Sequence, residues 1–339
     1  MQKSPFEYSL DNKRYHTLNY YNRNKYGRKV YKAVLDCGFT CPNIDGTRGV
    51  GGCVFCDGGS GYFTRPSLTV SEQLSAEIER IERKIDSEAS VIAYLQANTN
   101  TYAPAGKLAA LYDSILEFPQ VAGVSIGTRA DCLSEEVLDV LSSLNEKTTL
   151  TVELGMQTVH EKTIGFINRG YSHEEFLDGY FRLRQRGIRV CLHIINGLPY
   201  ETTEMMLGTA EQTALLAPDA VKIQMLHVIK GTRLAELYSH EDFGLLTRDE
   251  YIDITVRQLE LLPPETVIER ITGDGDKSKL IAPLWSADKI AVLGGIDKKL
   301  AELDTMQGKW FKAIPHRACA KDASRFRAKP SGGLCAVLP

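Results

Sequence analysis

The feature that most restricts this chain is an alternation of two periodicities along its first two thirds. Six apolar, strand-like runs stand at KVYKAVLD (29–36), SVIAYLQA (90–97), VAGVSIGT (121–128), TLTVELGM (149–156), RVCLHIING (189–197) and AVKIQMLHVI (220–229). Between them, helical spacing of apolar residues occupies 70–86, 105–117, 134–144, 172–186 and 203–216. Strand, helix and strand in succession build a parallel sheet with helices packed outside it. The expected class is therefore α/β. Periodicity alone leaves a partial (β/α) barrel and an open doubly wound sheet equally open. In both, ligands bind at the carboxyl ends of the strands. Polar residues gather there: Cys37 and Cys41 after the first run, Asn98 to Thr101 after the second, Thr128 to Asp131 after the third, Gln157 after the fourth and Asn196 after the fifth.

Charge is balanced at 40 Lys+Arg against 43 Asp+Glu, a formal net charge of -3, which excludes a uniformly cationic protein but not a local basic face. One such segment, 13–32, holds seven Lys/Arg and five Tyr without an acid. Cations beside stacking rings suit single-stranded RNA, whereas a basic strand-and-turn packing its tyrosines on the barrel would have the same composition. No run approaches the ~18–20 apolar residues of a membrane helix, and the start, MQKSPFEYSL, has no apolar stretch of the secretory kind. A cytoplasmic location away from membranes is expected. The chain is expected to divide into a basic, aromatic segment (1–30), a barrel (31–235), a more charged accessory region (236–311) and a flexible tail (312–339).

Four of the eight cysteines fall within twenty residues, in DCGFTCPNIDGTRGVGGCVFCDGGSG (36–61), spaced C-x3-C-x11-C-x2-C. Without an export signal, such clustering points to metal ligands rather than disulfides. Glycines at 46, 49, 51, 52, 58, 59 and 61 let backbone approach a ligand closely. A four-cysteine zinc site and an iron–sulfur cluster both satisfy the spacing. Zinc would fit a small stabilised module that binds RNA without catalysis. The position of the loop, at the end of the first strand of a large α/β unit, favours the cluster.

Taken together, CGFTCPN (37–43), GGCVFC (51–56), QANTNTYAP (96–104), GTRADCL (127–133), VELGMQT (152–158), INRGYS (167–172) and HIINGLPYE (193–201) resemble the radical S-adenosylmethionine (SAM) superfamily. The likeness is to a bacterial family related to the radical domain of the elongator catalytic subunit. It extends through ERITGDG (269–275), APLWS (282–286) and MQG (306–308), so it covers about residues 5–311. It implies a partial (β/α)6 TIM-like barrel with a C-terminal extension. It also implies a [4Fe-4S] cluster on Cys41, Cys53 and Cys56, with Cys37 a bystander where relatives carry a small residue; a Cys37–Cys41 pairing is the competing arrangement. SAM would bind the open iron, and its reductive cleavage would give a 5′-deoxyadenosyl radical that abstracts hydrogen. An electron donor such as flavodoxin or ferredoxin is implied as a partner. By the same likeness Arg169 pairs with the methionyl carboxylate, Gln157 lies twelve residues before it, and Asn98, Thr128 and Glu153 contact ribose or amino groups. Residues outside a cofactor role would be accounted for by an ion pair between strands for Glu153, an exposed charge for Arg169, an Arg129–Asp131 pair and a core His193. The substrate implied is tRNA, altered at the C5 side chain of a wobble uridine. A small metabolite or a protein side chain is the alternative.

Overall fold

Alternating side chains in a strand point to opposite faces, and the central strands of this chain use that rule to separate an oily face from a polar one. The structure, a computed structural model, describes residues 5–57, 67–240, 243–273 and 275–312. Glycines 58, 59 and 61 and the tail beyond 312 lie outside the described residues.

The strands are β1 (Tyr31–Leu35), β2 (Val91–Leu95), β3 (Val121–Thr128), β4 (Thr149–Gln157), β5 (Arg189–Asn196), β6 (Ala220–Met225), β7 (Val228–Ile229), β8 (Val267–Arg270) and β9 (Leu280–Ala282). The helices are α1 (Leu18–Tyr26), α2 (Val70–Ile85), α3 (Ala105–Leu116), α4 (Glu135–Lys147), α5 (Glu161–Phe166), α6 (His173–Gln185), α7 (Thr203–Leu216), α8 (Arg233–His240), α9 (Arg248–Leu261) and α10 (Lys289–Glu302). Several helices start where sequence chemistry dictates: Thr69 with Glu72, Ser172 with Glu175 and Thr247 with Glu250 form reciprocal capping boxes.

Seven strands form one parallel sheet in the order β1-β2-β3-β4-β5-β6-β8. This order settles the choice that periodicity left open. A doubly wound sheet reverses direction at a switch point, whereas here each strand is added beside the previous one. Right-handed crossovers that always advance the same way place the helices on one face. The sheet is accordingly a curled half-barrel. Its outer face packs Leu35, Leu95, Ile126, Leu154, Leu192 and Ile223 into a core with Leu74, Ile78, Leu138, Leu141 and Phe176 of the helices. The seventh strand, β8, comes from the region expected to be accessory. Its four residues, VIER, end in two charges and carry little strand signal.

β1 and β8 are the two edges of the sheet. Residues 16 and 17 run along β8: Ile268 N–H donates to His16 O at 2.7 Å, and Thr17 forms a parallel bridge with Ile268. Gln307, in the MQG motif, fastens this segment, accepting from His16 N–H at 2.8 Å and donating to Pro263 O and Thr266 O at 2.6 and 2.8 Å. Within the segment 13–32, residues 18–26 form helix α1, capped by Thr17, where a strand-and-turn was the alternative, and Tyr31 and Lys32 open β1. The helix lies across the amino-terminal ends of the strands, where the Arg189 guanidinium sits 4.4 Å from the centre of the Tyr21 ring. Tyr15 is buried and Tyr21 and Tyr26 are partly so, while Arg23, Lys25, Arg28 and Lys29 are exposed.

Candidate active site

The long insertion between Cys41 and Cys53 is a small closed hairpin. Residues 45 and 50 form an antiparallel bridge, Gly46 N–H donates to Gly49 O at 3.1 Å, and Gly52 N–H donates to Asn43 O at 2.8 Å. The chain thus returns on itself and brings Cys53 back beside Cys41. Cys56 follows within one turn, its N–H donating to Cys53 O at 2.9 Å. The INRGYS segment clamps the hairpin from the side. Asn168 Nδ2 donates to Gly52 O at 2.7 Å, Asn43 Nδ2 donates to Asn168 O at 2.6 Å, and Val54 N–H donates to Ile167 O at 3.0 Å. Gly49 and Gly170 make room for this clamp, because a Cβ on either would meet Asn43 Oδ1 at 2.4 or 2.5 Å.

Cys41, Cys53 and Cys56 line one cavity at the carboxyl ends of the strands, together with Asn98, Thr128, Glu153, Gln157 and Arg169. Its volume is about 270 Å³, and a second compartment of about 290 Å³ adjoins it, sharing Phe55, Gln96, His193, Gln224 and Arg270. All eight residues named from the sequence are brought together. Cys37 is not among them; it packs against the core, and burial pushes its thiol up to about 12. Burial and the neighbouring Cys56 raise the Cys53 thiol similarly. Among the described residues no three Cys, His, Asp or Glu side chains converge on a single-ion centre.

Arg169 is 1% exposed, over the Tyr171 ring at 4.4 Å. Its Nε donates to Tyr171 O at 3.0 Å, and its Nη1 donates to Met156 O and Thr158 O at 2.5 and 3.2 Å. Nη2 has no partner. A buried guanidinium N–H without an acceptor is costly unless a ligand supplies one. A carboxylate is the natural acceptor. Gln157, in the left-handed region at φ 57°, turns its amide nitrogen to Gly155 O at 2.8 Å. Asn98, likewise at φ 57°, donates to Phe39 O at 2.8 Å. Thr101 donates to Cys132 O at 2.7 Å, so the Thr128 hydroxyl gives its proton to Thr101 and turns lone pairs to the cavity. Arg129 and Asp131 pair with each other, Nη2 to Oδ2 at 2.8 Å.

Glu153 lines the cavity and also makes the ion pair between strands that was its alternative reading. Named from the sequence as a cofactor contact, it has both oxygens filled by donors from five other strands. Oε1 accepts from Ser125 Oγ at 2.7 Å and Lys32 Nζ at 3.3 Å. Oε2 accepts from His193 Nε2 at 2.8 Å, Tyr94 OH at 2.9 Å and Lys222 Nζ. Lys32 also donates to Glu269 at 2.8 Å. One residue from each of the seven strands thus enters a polar floor beneath the cavity. Burial alone would raise the Glu153 carboxyl, but Lys222 and Lys32 hold it well below the usual range. A carboxylate can only accept, so His193 carries its proton on Nε2. Burial, with Lys222 next, lowers its basicity, and Nδ1 accepts from Gln224 at 3.2 Å. Sequence reading missed Lys32, Tyr94, Lys222, Gln224 and Arg270. The available signal was a lysine inside an otherwise apolar run, as Lys222 in AVKIQM.

The Radical SAM superfamily profile matches residues 44–213, and the profile of the Radical_SAM C-terminal domain matches 218–302. The protein YtqA of Bacillus subtilis is 45% identical over 318 residues, 93% of this chain and 98% of that one. The chain belongs to the radical SAM superfamily. Superfamily members use a [4Fe-4S] cluster and SAM, which the donor set described above fits: three thiols on one cavity and an unanswered buried guanidinium N–H. Among other radical SAM relatives, the tRNA uridine(34) acetyltransferase of Methanocaldococcus jannaschii is 28% identical over 152 residues, 44% of this chain and 28% of that protein. The structure of Methanocaldococcus infernus Elp3 lacking its N-terminus superposes with a TM-score of 0.63 at 18% identity, covering 82% of this chain and 64% of that one, a likeness of fold. Among the described residues no helix of this radical SAM protein is long and apolar enough to cross a membrane.

Proposed function

We propose that this radical SAM protein modifies the C5 side chain of a wobble uridine in tRNA, with an electron donor such as flavodoxin or ferredoxin. The reading is carried by the convergence of Cys41, Cys53, Cys56 and the unpartnered Arg169 Nη2 on a single cavity. Its substrate draws on the likeness to a tRNA uridine(34) acetyltransferase. Cys41, Cys53 and Cys56 would hold the cluster, which together with SAM would supply radical hydrogen-abstraction chemistry. Arg169 would receive the methionyl carboxylate, and Thr128, Asn98 and Gln157 would orient the amino group and ribose. The floor below them keeps water from entering through the barrel and fixes the His193 tautomer.

Arg169→Lys keeps a cation but loses the fork. SAM affinity is expected to fall about tenfold to a hundredfold, the worth of one or two charge-assisted hydrogen bonds, with iron content unchanged. Anaerobic titration calorimetry with SAM measures the first and iron analysis the second; equal affinity would remove Arg169 from the cofactor site.

The substrate is tested by nucleoside mass spectrometry of tRNA from cells lacking the protein. One modified wobble uridine should disappear and a precursor accumulate. An unchanged profile would favour a small metabolite or a protein side chain as substrate. One observation favours that second reading: the basic segment expected to hold RNA, 13–32, lies at the amino-terminal end of the barrel, opposite the cavity.

A further inference from the structure

The mixture of cations and aromatic rings that the sequence offered at 13–32 recurs in space at the cavity mouth. β7 and β9 form a two-stranded antiparallel ribbon, with Lys230 N–H donating to Lys279 O at 2.8 Å. The outer cavity compartment is lined by Ile229 and Asp276, the neighbours of Lys230 and Lys277. Helix α8 begins beside the cysteine loop, where Leu234 N–H donates to Val54 O at 2.7 Å, and this puts Arg233 at the same rim. Lys230, Arg233, Lys277 and Lys279 are all exposed. Across α8, Tyr200 is 55% and Tyr238 36% exposed, each edge-on or tilted against Phe243 at 6.1 and 5.6 Å. Val54, Leu198, Leu226, Val228, Leu234, Phe243 and Ala282 pack as one apolar cluster under these groups, so ribbon, helix and cysteine loop form a single support.

We infer that this rim (Lys230, Arg233, Lys277 and Lys279 with Tyr200 and Tyr238) is the docking surface for a single-stranded RNA loop, its cations on the phosphates flanking the reacting nucleotide and its rings under neighbouring bases. The inference rests on the tRNA reading above and adds where the RNA lies. A nucleotide whose base enters the cavity carries its adjacent phosphates to the mouth. The patch on α1 stands at the other end of a nine-residue strand, about 30 Å away at about 3.3 Å per residue. It is too far to hold those phosphates. Stacking surfaces beside cations are the usual means of holding unpaired nucleotides.

The test is binding of an anticodon stem-loop RNA, measured by fluorescence anisotropy across a salt series, on the full chain. Lys230→Ala/Lys277→Ala/Lys279→Ala should weaken binding at least about tenfold and flatten the log–log salt slope by about 2, near 0.7 per lost phosphate contact. Tyr238→Ala should weaken it about fivefold or more with the slope unchanged. Arg23→Ala/Lys25→Ala/Arg28→Ala/Lys29→Ala should bind as the wild type does. Wild-type binding that survives the ribbon substitutions, or is lost with the α1 set, overturns the docking surface and leaves the tRNA reading in place. Absence of wild-type binding at low salt overturns both.

Discussion

Glu153→Ala is expected to lower the free energy of unfolding by about 3–5 kcal/mol, the cost of leaving buried charges without their partner. Five donors meet on this carboxylate, and Lys222 is as buried as Glu153 itself. Removing the acceptor leaves the Lys222 ammonium with only Tyr94 OH at 3.1 Å and Glu269 at 4.0 Å, and takes the acceptor from the Tyr94 hydroxyl, the Ser125 hydroxyl and His193 Nε2–H. Urea unfolding followed by circular dichroism measures the loss, and a change under about 1 kcal/mol would mean that solvent screens the network. The pH dependence has a definite sign. Glu153 is held below its ordinary pKa, so its contribution is complete above about 4.3 and disappears as pH falls through the lower native value. The wild type should therefore lose the margin over Glu153→Ala only in strong acid.

The second large effect is on iron. After anaerobic reconstitution, Cys53→Ala should lack the broad visible absorbance of a cluster and retain little iron, while Cys37→Ala should reach about four irons per chain. The contrast follows from where the two sulfurs stand. Cys53 lines the cavity with Cys41 and Cys56, whereas Cys37 packs into the core at the end of β1. A Cys37→Ala protein that fails to hold iron would restore the competing Cys37–Cys41 pairing.

Much of this architecture is legible in the sequence because fully buried parallel strands announce themselves. VAGVSIGT over 121–128 coincides with β3, and the helical spacing over 203–216 with α7. The run 220–229 is less regular than it reads: the chain breaks at Leu226 and His227, and its last two residues leave the barrel to form the ribbon. β8 escaped notice because a four-residue edge strand ending in Glu269 and Arg270 has no apolar alternation. α1 escaped because its aromatic and polar residues do not form an apolar stripe. The site divides in the same way. Cysteine spacing and the Gln157–Arg169 separation are local in sequence, so they could be matched to a family pattern. The floor could not, since its members lie one to a strand and are related by sheet register rather than by spacing. Glu153 shows the difference most clearly: an ion pair between strands could be named for this mid-strand carboxylate, but its partners Lys32, Lys222 and His193 could not.

The contact between Ile268 and His16 carries a practical consequence. A shortened protein starting at β1 would retain every cysteine and cavity residue, yet one flank of β8 would lose its neighbour. Bare strand flanks recruit whatever extended backbone is nearby. Residues 16 and 17 therefore work as a selvedge, a finished border that stops one barrel from being stitched to the next.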